Sequence, residues 1–305
     1  MSVSLHSNLT SCEYWKSKNY EDIFVGNTEK HLFRICFPLL AVFIVIFNFY
    51  VVAILLKKKH RHRIDNEFLV LSISDLLVGL ISVPFYSLHF YDISQVILCT
   101  LYPIMTSVTI FPFAFSWSMT VVISCERYFV IIWPAFHRRY IKNAYAYPFL
   151  FVLLFTTTCM GVFLGWTVYK EVNSTVIYMG IYKEDRWPTP FEFVQIILEI
   201  MIFLVVLTLN LKMYLYVKIL SKRMNSSRQY SERTSRRLTI TVIHIFFCLS
   251  FCNIPQLVTI ILEWFGIVKA SSALYHLRSW SMLTLYSNSF LNSIILMRSS
   301  KFRSK

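Results

Sequence analysis

Three groups of residues have types and spacings that could do chemistry. Asp75 lies inside the apolar run "LSISDLLVGLISVPF" (71–85). Glu126 and Arg127 stand together in "SCERYFVIIWP" (124–134), directly after residues 96–125, which hold no Lys, Arg, Asp or Glu. Asn288 and Asn292 are four residues apart, so on a helix they share a face. None of these is a catalytic constellation. The sequence has no Gly-rich phosphate loop, no HExxH, no paired CxxC and no nucleophile–base pair, and an enzyme is not expected. The chemistry on offer is the hydrogen bonding and charge pairing of a few polar groups in apolar surroundings.

Those surroundings are a membrane. Of 305 residues, 56% are hydrophobic and only 15% charged, and the chain has several apolar stretches long enough for a bilayer core of about 30 Å. Spans are expected at 35–56, 68–90, 100–125, 144–166, 191–217, 238–262 and 273–297. The seventh carries His276 and Arg278. It inserts if its polar side faces other helices; the alternative is a re-entrant or surface segment. The fold class is therefore an all-α membrane protein, a seven-transmembrane helix bundle. A bare carboxylate at mid-membrane costs at least about 2.5–3.5 kcal/mol, so Asp75 needs partners.

Charge sets the orientation. One set of loops, 57–63, 127–142, 212–237 and 298–305, holds five, four, eight and four Lys or Arg. The other side holds nine of the thirty, so the N-terminus is expected outside and the C-terminus inside. The net charge of +14 then reads as topology and attraction to anionic inner-leaflet lipid, not as nucleic-acid binding. Residues 1–30 lack the hydrophobic core of a cleavable signal, and the first span is expected to target and anchor the chain. The sequons at Asn8 and Asn173 fall on the outside and that at Asn225 inside, which makes a glycoprotein of the first two. The expectation is one domain over 1–305, with an extracellular segment at 1–30 and a cytoplasmic tail at 298–305.

Over nearly its full length the chain resembles a rhodopsin-like (class A) G-protein-coupled receptor. The resemblance rests on Asn48 in "FNFYVV", on "LSISDLLVGLISVPF" with Asp75, and on "ERYFVIIWP" (126–134), with Pro134 seven residues after Arg127. Tyr216 in "YVKIL", Cys252 and Pro255 in "FCNIP", and "NSFLNSIIL" (288–296) follow in the expected order. The resemblance implies a plasma-membrane receptor, multi-pass, that passes an extracellular ligand's signal to a heterotrimeric G protein. Glu126, Arg127, Tyr128, Pro134, Tyr216 and Asn292 become the coupling and switch residues, with Arg127 freed when the sixth helix moves outward. Asp75, Ser116, Asn288, Ser289 and Asn292 match the positions that line a hydrated sodium site; the alternative is a hydrogen-bonded core network around a protonated Asp75. No other cofactor is implied.

Several positions depart from the family pattern. Asn253 replaces the sixth-helix tryptophan and Leu249 the aromatic one turn below it. Ser293 and Leu296 replace the seventh-helix proline and tyrosine, Thr208 the fifth-helix proline and Leu154 the fourth-helix tryptophan. Ser235 stands where a sixth-helix acid often clasps the arginine. The family's disulfide at the top of the third helix would use Cys99, but the loop at 167–190 contains no Cys. A Cys12–Cys99 bond and two free thiols stay open. Thr109, five turns outward from Arg127, is not an acid, so a biogenic-amine ligand is not expected. Thr109, Gln195, Glu199, Asn253 and Tyr286 are the candidate ligand-pocket residues. Two other functions stay open: a receptor-like protein with altered or no ligand-dependent signalling, and a small transporter or channel built on Asp75.

Overall fold

The computed structural model describes residues 27–59, 63–91, 95–141, 190–223, 229–264 and 272–299. All regular structure among them is helical: α1 Asn27–Lys57, α2 Arg63–Leu77, a π-helical turn Val78–Ser82, α3 Val83–Ser87 and a 3₁₀ turn Leu88–Phe90. There follow α4 Gln95–Ile132, α5 Pro134–Phe136 with a π-helical turn His137–Ile141, α6 Pro190–Arg223, α7 Gln229–Trp264 and α8 Ser272–Arg298. Helices are the form a lipid-bathed chain can take, because every backbone N–H and C=O then finds its partner within the segment.

The helices close a ring. α1 packs on α2 and α8, α2 on α4, α4 on α6 and α7, α6 on α7, and α7 on α8. Stretches long and apolar enough to cross a membrane are Thr28–Lys57, Arg63–Ser87, Phe111–Ile132, Ile200–Ile219 and Leu238–Leu262. They correspond to the first, second, third, fifth and sixth expected spans; α8 occupies the seventh, and the fourth, 144–166, lies outside the described residues. Large apolar side chains face outward, as lipid solvation allows: Phe251 is 74% exposed and Phe49 63%.

Each helix outruns its apolar span. α2 begins at Arg63 rather than near residue 68, and α4 runs from Gln95 to Ile132. Helical hydrogen bonding continues into the interface, where Glu29 in the first turn of α1 and Lys57 in its last complement the helix dipole. Polar residues inside the spans turn back on their own helices. Thr208 donates to the Leu204 carbonyl at 2.8 Å, Asn210 to Val206 at 2.9 Å and Ser250 to Phe246 at 2.8 Å.

The second membrane helix changes pitch. Val83 N–H bonds the Val78 carbonyl five residues back, and Pro84, next in line, has no N–H to give. Within this turn α1 passes very close. A Cβ placed on Gly79 would stand 2.7 Å from Ile44 Cγ2, so only glycine permits the approach.

Two large clusters fill the ring, with a smaller one of Val206, Phe246 and Leu249 between α6 and α7. The outer one is aromatic: Phe33, Phe37, Phe90 and Tyr286 are buried, with Tyr86 and Phe113 against them. Phe37 and Phe90 stack at 5.3 Å, and Tyr86 meets Tyr286 edge-on at 5.7 Å. The inner one is aliphatic, with Leu71, Met119, Ile123, Val242 and Leu296 all at 1% exposure or less.

Candidate functional site

Asp75 is fully buried near the middle of the second membrane helix. Ser116 Oγ, from α4, donates to its Oδ1 at 2.5 Å, and Asn292 Nδ2, from α8, donates to its Oδ2 at 3.1 Å. Ser289, one turn before Asn292, also hydrogen-bonds to the carboxylate. Asn48 joins the same layer from α1: its Nδ2 donates to the Ser289 carbonyl and to Ile44 O, both at 3.0 Å. Four helices thus meet around one acid. The spacing of three residues between Ser289 and Asn292 puts both on one face of α8. Asn288 is buried as well, and among the described residues the amide oxygens of Asn48, Asn288 and Asn292 have no hydrogen-bond donor. The described side chains therefore offer more oxygen acceptors than donors.

Glu126 and Arg127 form the second site, at the far end of α4. Arg127 Nη2 lies 3.4 Å from Glu126 Oε2, and the two side chains are 10% and 5% exposed. Glu126 Oε1 is shared with Arg63 Nε at 3.1 Å and faces His137 Nε2 at 3.6 Å. Arg63 Nε also lies 3.3 Å from Glu67 Oε1, one turn along α2. Burial holds the His137 imidazole below its ordinary pKa, with the Glu126 charge pulling the other way. Outside this knot Lys58 pairs with buried Asp65 at 3.4 Å. Arg63, Glu67 and Asp65 did not enter the sequence reading. Their signal was present: Arg63 and Glu67 have the i, i+4 spacing of a helical ion pair, masked because Arg63 was counted with the loop before it.

The remaining candidate residues are scattered. Tyr128 is half-buried beside Arg127, its ring 5.7 Å from that of Phe129. Pro134 is exposed and opens α5, and Tyr216 is 42% exposed on α6. Thr109 accepts a hydrogen bond from Ser82 at its carbonyl, 2.8 Å away, and Asn253 Nδ2 donates to Leu249 O at 2.7 Å. Tyr286 sits inside the aromatic cluster at 2% exposure rather than on an open wall. Gln195 and Glu199 lie on α6 and Cys99 on α4, with side chains outside the described residues, as are Asn8, Cys12 and Asn173 altogether. The described cysteines Cys36, Cys125, Cys248 and Cys252 are free thiols.

The departures from the family pattern have a packing consequence. Leu249 is buried against Phe246 and Val206, with Trp117 beside them. Ser293 turns its hydroxyl to the Phe290 carbonyl at 2.7 Å, and Leu296 joins the aliphatic cluster with no exposure at all. Where the family carries a tyrosine, this chain has a fully apolar contact.

The family is shown by comparison with known proteins. Residues 47–296 match the family model described as 7 transmembrane receptor (rhodopsin family). The chain belongs to this family of rhodopsin-like receptors, and with it to the multi-pass membrane proteins of seven-helix architecture.

Proposed function

We propose that this receptor sits in the plasma membrane with its N-terminus outside and passes an extracellular ligand's signal to a heterotrimeric G protein. The reading is carried by one observation: a nearly buried guanidinium, Arg127, held by its neighbour Glu126 at the end of α4. An arginine so placed is costly to keep out of water unless it is paired, and Glu126 supplies the pair. Tyr128, Pro134 and Tyr216 flank the same end, and the basic 218–237 segment offers a complementary surface to acidic groups on a G protein. Outward movement of α7 exposes Arg127 to the partner.

Asp75, Ser116, Asn288, Ser289 and Asn292 form the second part of the proposal, a sodium-sensitive centre. One carboxylate, two hydroxyls and amide oxygens lacking donors are hard ligands suited to a small cation. The ion supplies a positive charge that neutralises the carboxylate in the packing it favours, and ligands that bind one state shift the balance toward it. The ligand pocket of the outer half is assigned to Thr109, Gln195, Glu199, Asn253 and Tyr286. No amine is expected there, since the third span offers no acid.

The test is Arg127→Ala in cells, read against a panel of G proteins with surface expression measured in parallel. Coupling is expected to disappear while surface expression holds. Signalling that persists in the variant removes the proposal, and ion flux through the reconstituted protein would favour a transporter instead.

A further inference from the structure

The seam between α6 and α7 holds a half-open cavity of about 300 Å³. Two helix faces wall it: Val217 and Lys218 of α6, with Tyr214 one turn before, and Ile240, Ile243, His244 and Phe247 of α7. Val217 and Ile243 are buried and form its floor, whereas Tyr214, Lys218, His244 and Phe247 are exposed. The opening looks away from the ring. α7 turns Val242 and Ile245 into the aliphatic cluster, and at about 100° per residue Ile240, His244 and Phe247 lie on its opposite side. In a membrane that side is lipid. His244 is the anomaly there. It stands in the apolar stretch Leu238–Leu262, about 9 Å along, and no hydrogen-bond partner for it occurs among the described residues. Histidines within spans turn to the bundle interior or to a partner, so one turned outward calls for something that covers it.

We propose that this crevice seats one acidic phospholipid of the cytoplasmic leaflet, its phosphate met by Lys218 and His244 and an acyl chain laid on Val217, Ile243 and Phe247. The order of these groups across the membrane fits. Lys218 is one residue from the end of the stretch Ile200–Ile219, where headgroups lie, and Ile240 stands two residues into the facing stretch. Phe247 is about 10 Å deeper than Ile240, so a headgroup at the first level puts its chain over the second. The volume is at the low end for a small-molecule site, enough for part of one chain, and the rest of the lipid stays in the bilayer. An ammonium carries three donors, so Lys218 can meet a phosphate while keeping its contact within the protein. His244 adds an N–H in either tautomer. Charge selects the lipid. Residues 218–237 hold seven Lys or Arg against one Glu, and such segments draw acidic lipid, whereas a zwitterionic headgroup would bring its own cation beside Lys218. This rests on the orientation proposed above, with these helix ends inside the cell, and not on G-protein coupling.

Native mass spectrometry of the purified full-length receptor, stripped of lipid in detergent and then given phosphatidylserine or phosphatidylcholine, counts the lipids it retains. One phosphatidylserine should be held about fivefold more tightly than phosphatidylcholine, the weight of one lysine at an acidic surface, and Lys218→Gln should erase that preference. Ile240→Trp keeps every charge and fills the crevice, and should weaken the same first lipid. Should that variant fail to fold, Phe247→Ala removes an exposed wall and is expected to act in the same direction. Lys57→Gln, in the last turn of α1 across the ring, should leave the first lipid unchanged. Equal retention of the two lipids, an equal loss from Lys57→Gln, or full retention by both Ile240→Trp and Phe247→Ala would overturn the proposal. Displacement of the phosphatidylserine by equimolar oleate would overturn it too, making the occupant a fatty acid. Orientation is read separately, from an N-terminal epitope on cells. An epitope reached only after permeabilisation would overturn the leaflet and the orientation together, whereas failed retention with an accessible epitope overturns the crevice alone.

Discussion

Two buried acids in one bundle are satisfied in opposite ways. Asp75 is met only by neutral donors, the Ser116 hydroxyl and the Asn292 amide among them, whereas Glu126 is met by two guanidiniums and an imidazole. Depth explains the difference. A cation brought to mid-membrane would add its own desolvation to that of the acid, so hydroxyls and amides are the cheaper partners there. Near the interface an arginine keeps part of itself in water, as Arg63 does with 30% of its side chain exposed. Along α2 the two levels, Glu67 and Asp75, are eight residues or about 12 Å apart. Phe68 and Leu71 on α2, with Met119 and Ile123 on α4, fill the space between, and no described polar bond crosses it.

The contrast predicts different answers to the same chemical edit. Glu126→Gln keeps shape and removes the charge that Arg127 and Arg63 share, and should cost about 3 kcal/mol, the lower end for a broken buried pair. Asp75→Asn, measured without sodium, should cost much less, because its partners carry no charge. Thermal melts of the purified variants check this; equal losses would mean that both sites are charge-paired. Ser116→Ala comes next. It takes the donor from Asp75 Oδ1 and should cost about 1–3 kcal/mol, the penalty of an unsatisfied buried polar group, while leaving the Arg63–Glu126 pairing in place. Disturbance of that pairing as well would show that the aliphatic layer couples the sites. The smallest effect concerns the ion. Sodium chloride should raise the melting temperature over equimolar choline chloride, through a stabilisation of about 0.4 kcal/mol when sodium equals its Kd, and Asp75→Asn should erase the gain. Identical midpoints in the unmutated protein would make the Asp75 layer a dry hydrogen-bond network.

Much of this was legible beforehand, and the parts that were not have a common cause. Spans read cleanly wherever lipid faces the helix, since apolar length is then the whole requirement. The seventh helix did not read cleanly because its polar residues look inward: Ser281 Oγ reaches Gln256 Oε1 of α7 at 2.6 Å, and Asn292 reaches Asp75. Asp75 stood out as an acid in an apolar run. Its contact with Ser116 and Asn292 is a tertiary fact that only family resemblance anticipated. Arg63 and Glu67 were missed because a positive charge beside a loop is ordinary, and only the earlier start of α2 brings both onto the bundle. Tyr286 was assigned to the pocket by its position, and the structure packs its ring against Phe37, Tyr86 and Phe113, contacts that sequence spacing does not announce.

The π-helical turn at Val78–Ser82 has a consequence for descent as much as for shape. It adds one residue to a single turn, so every side chain beyond it points about 100° away from where an uninterrupted α-helix would send it. Inward of the turn, Asp75 and Glu67 keep the phase shared with an unbroken helix. Outward of it, Tyr86 and Phe90 have been dealt to a different neighbour, and both rest on Phe37 of α1. One inserted or deleted codon at this point would therefore re-aim the whole outer quarter of the helix while leaving the inner acids where they are. The aromatic end of the bundle can exchange its contacts by such a step without disturbing the end that holds Glu67 and Asp75.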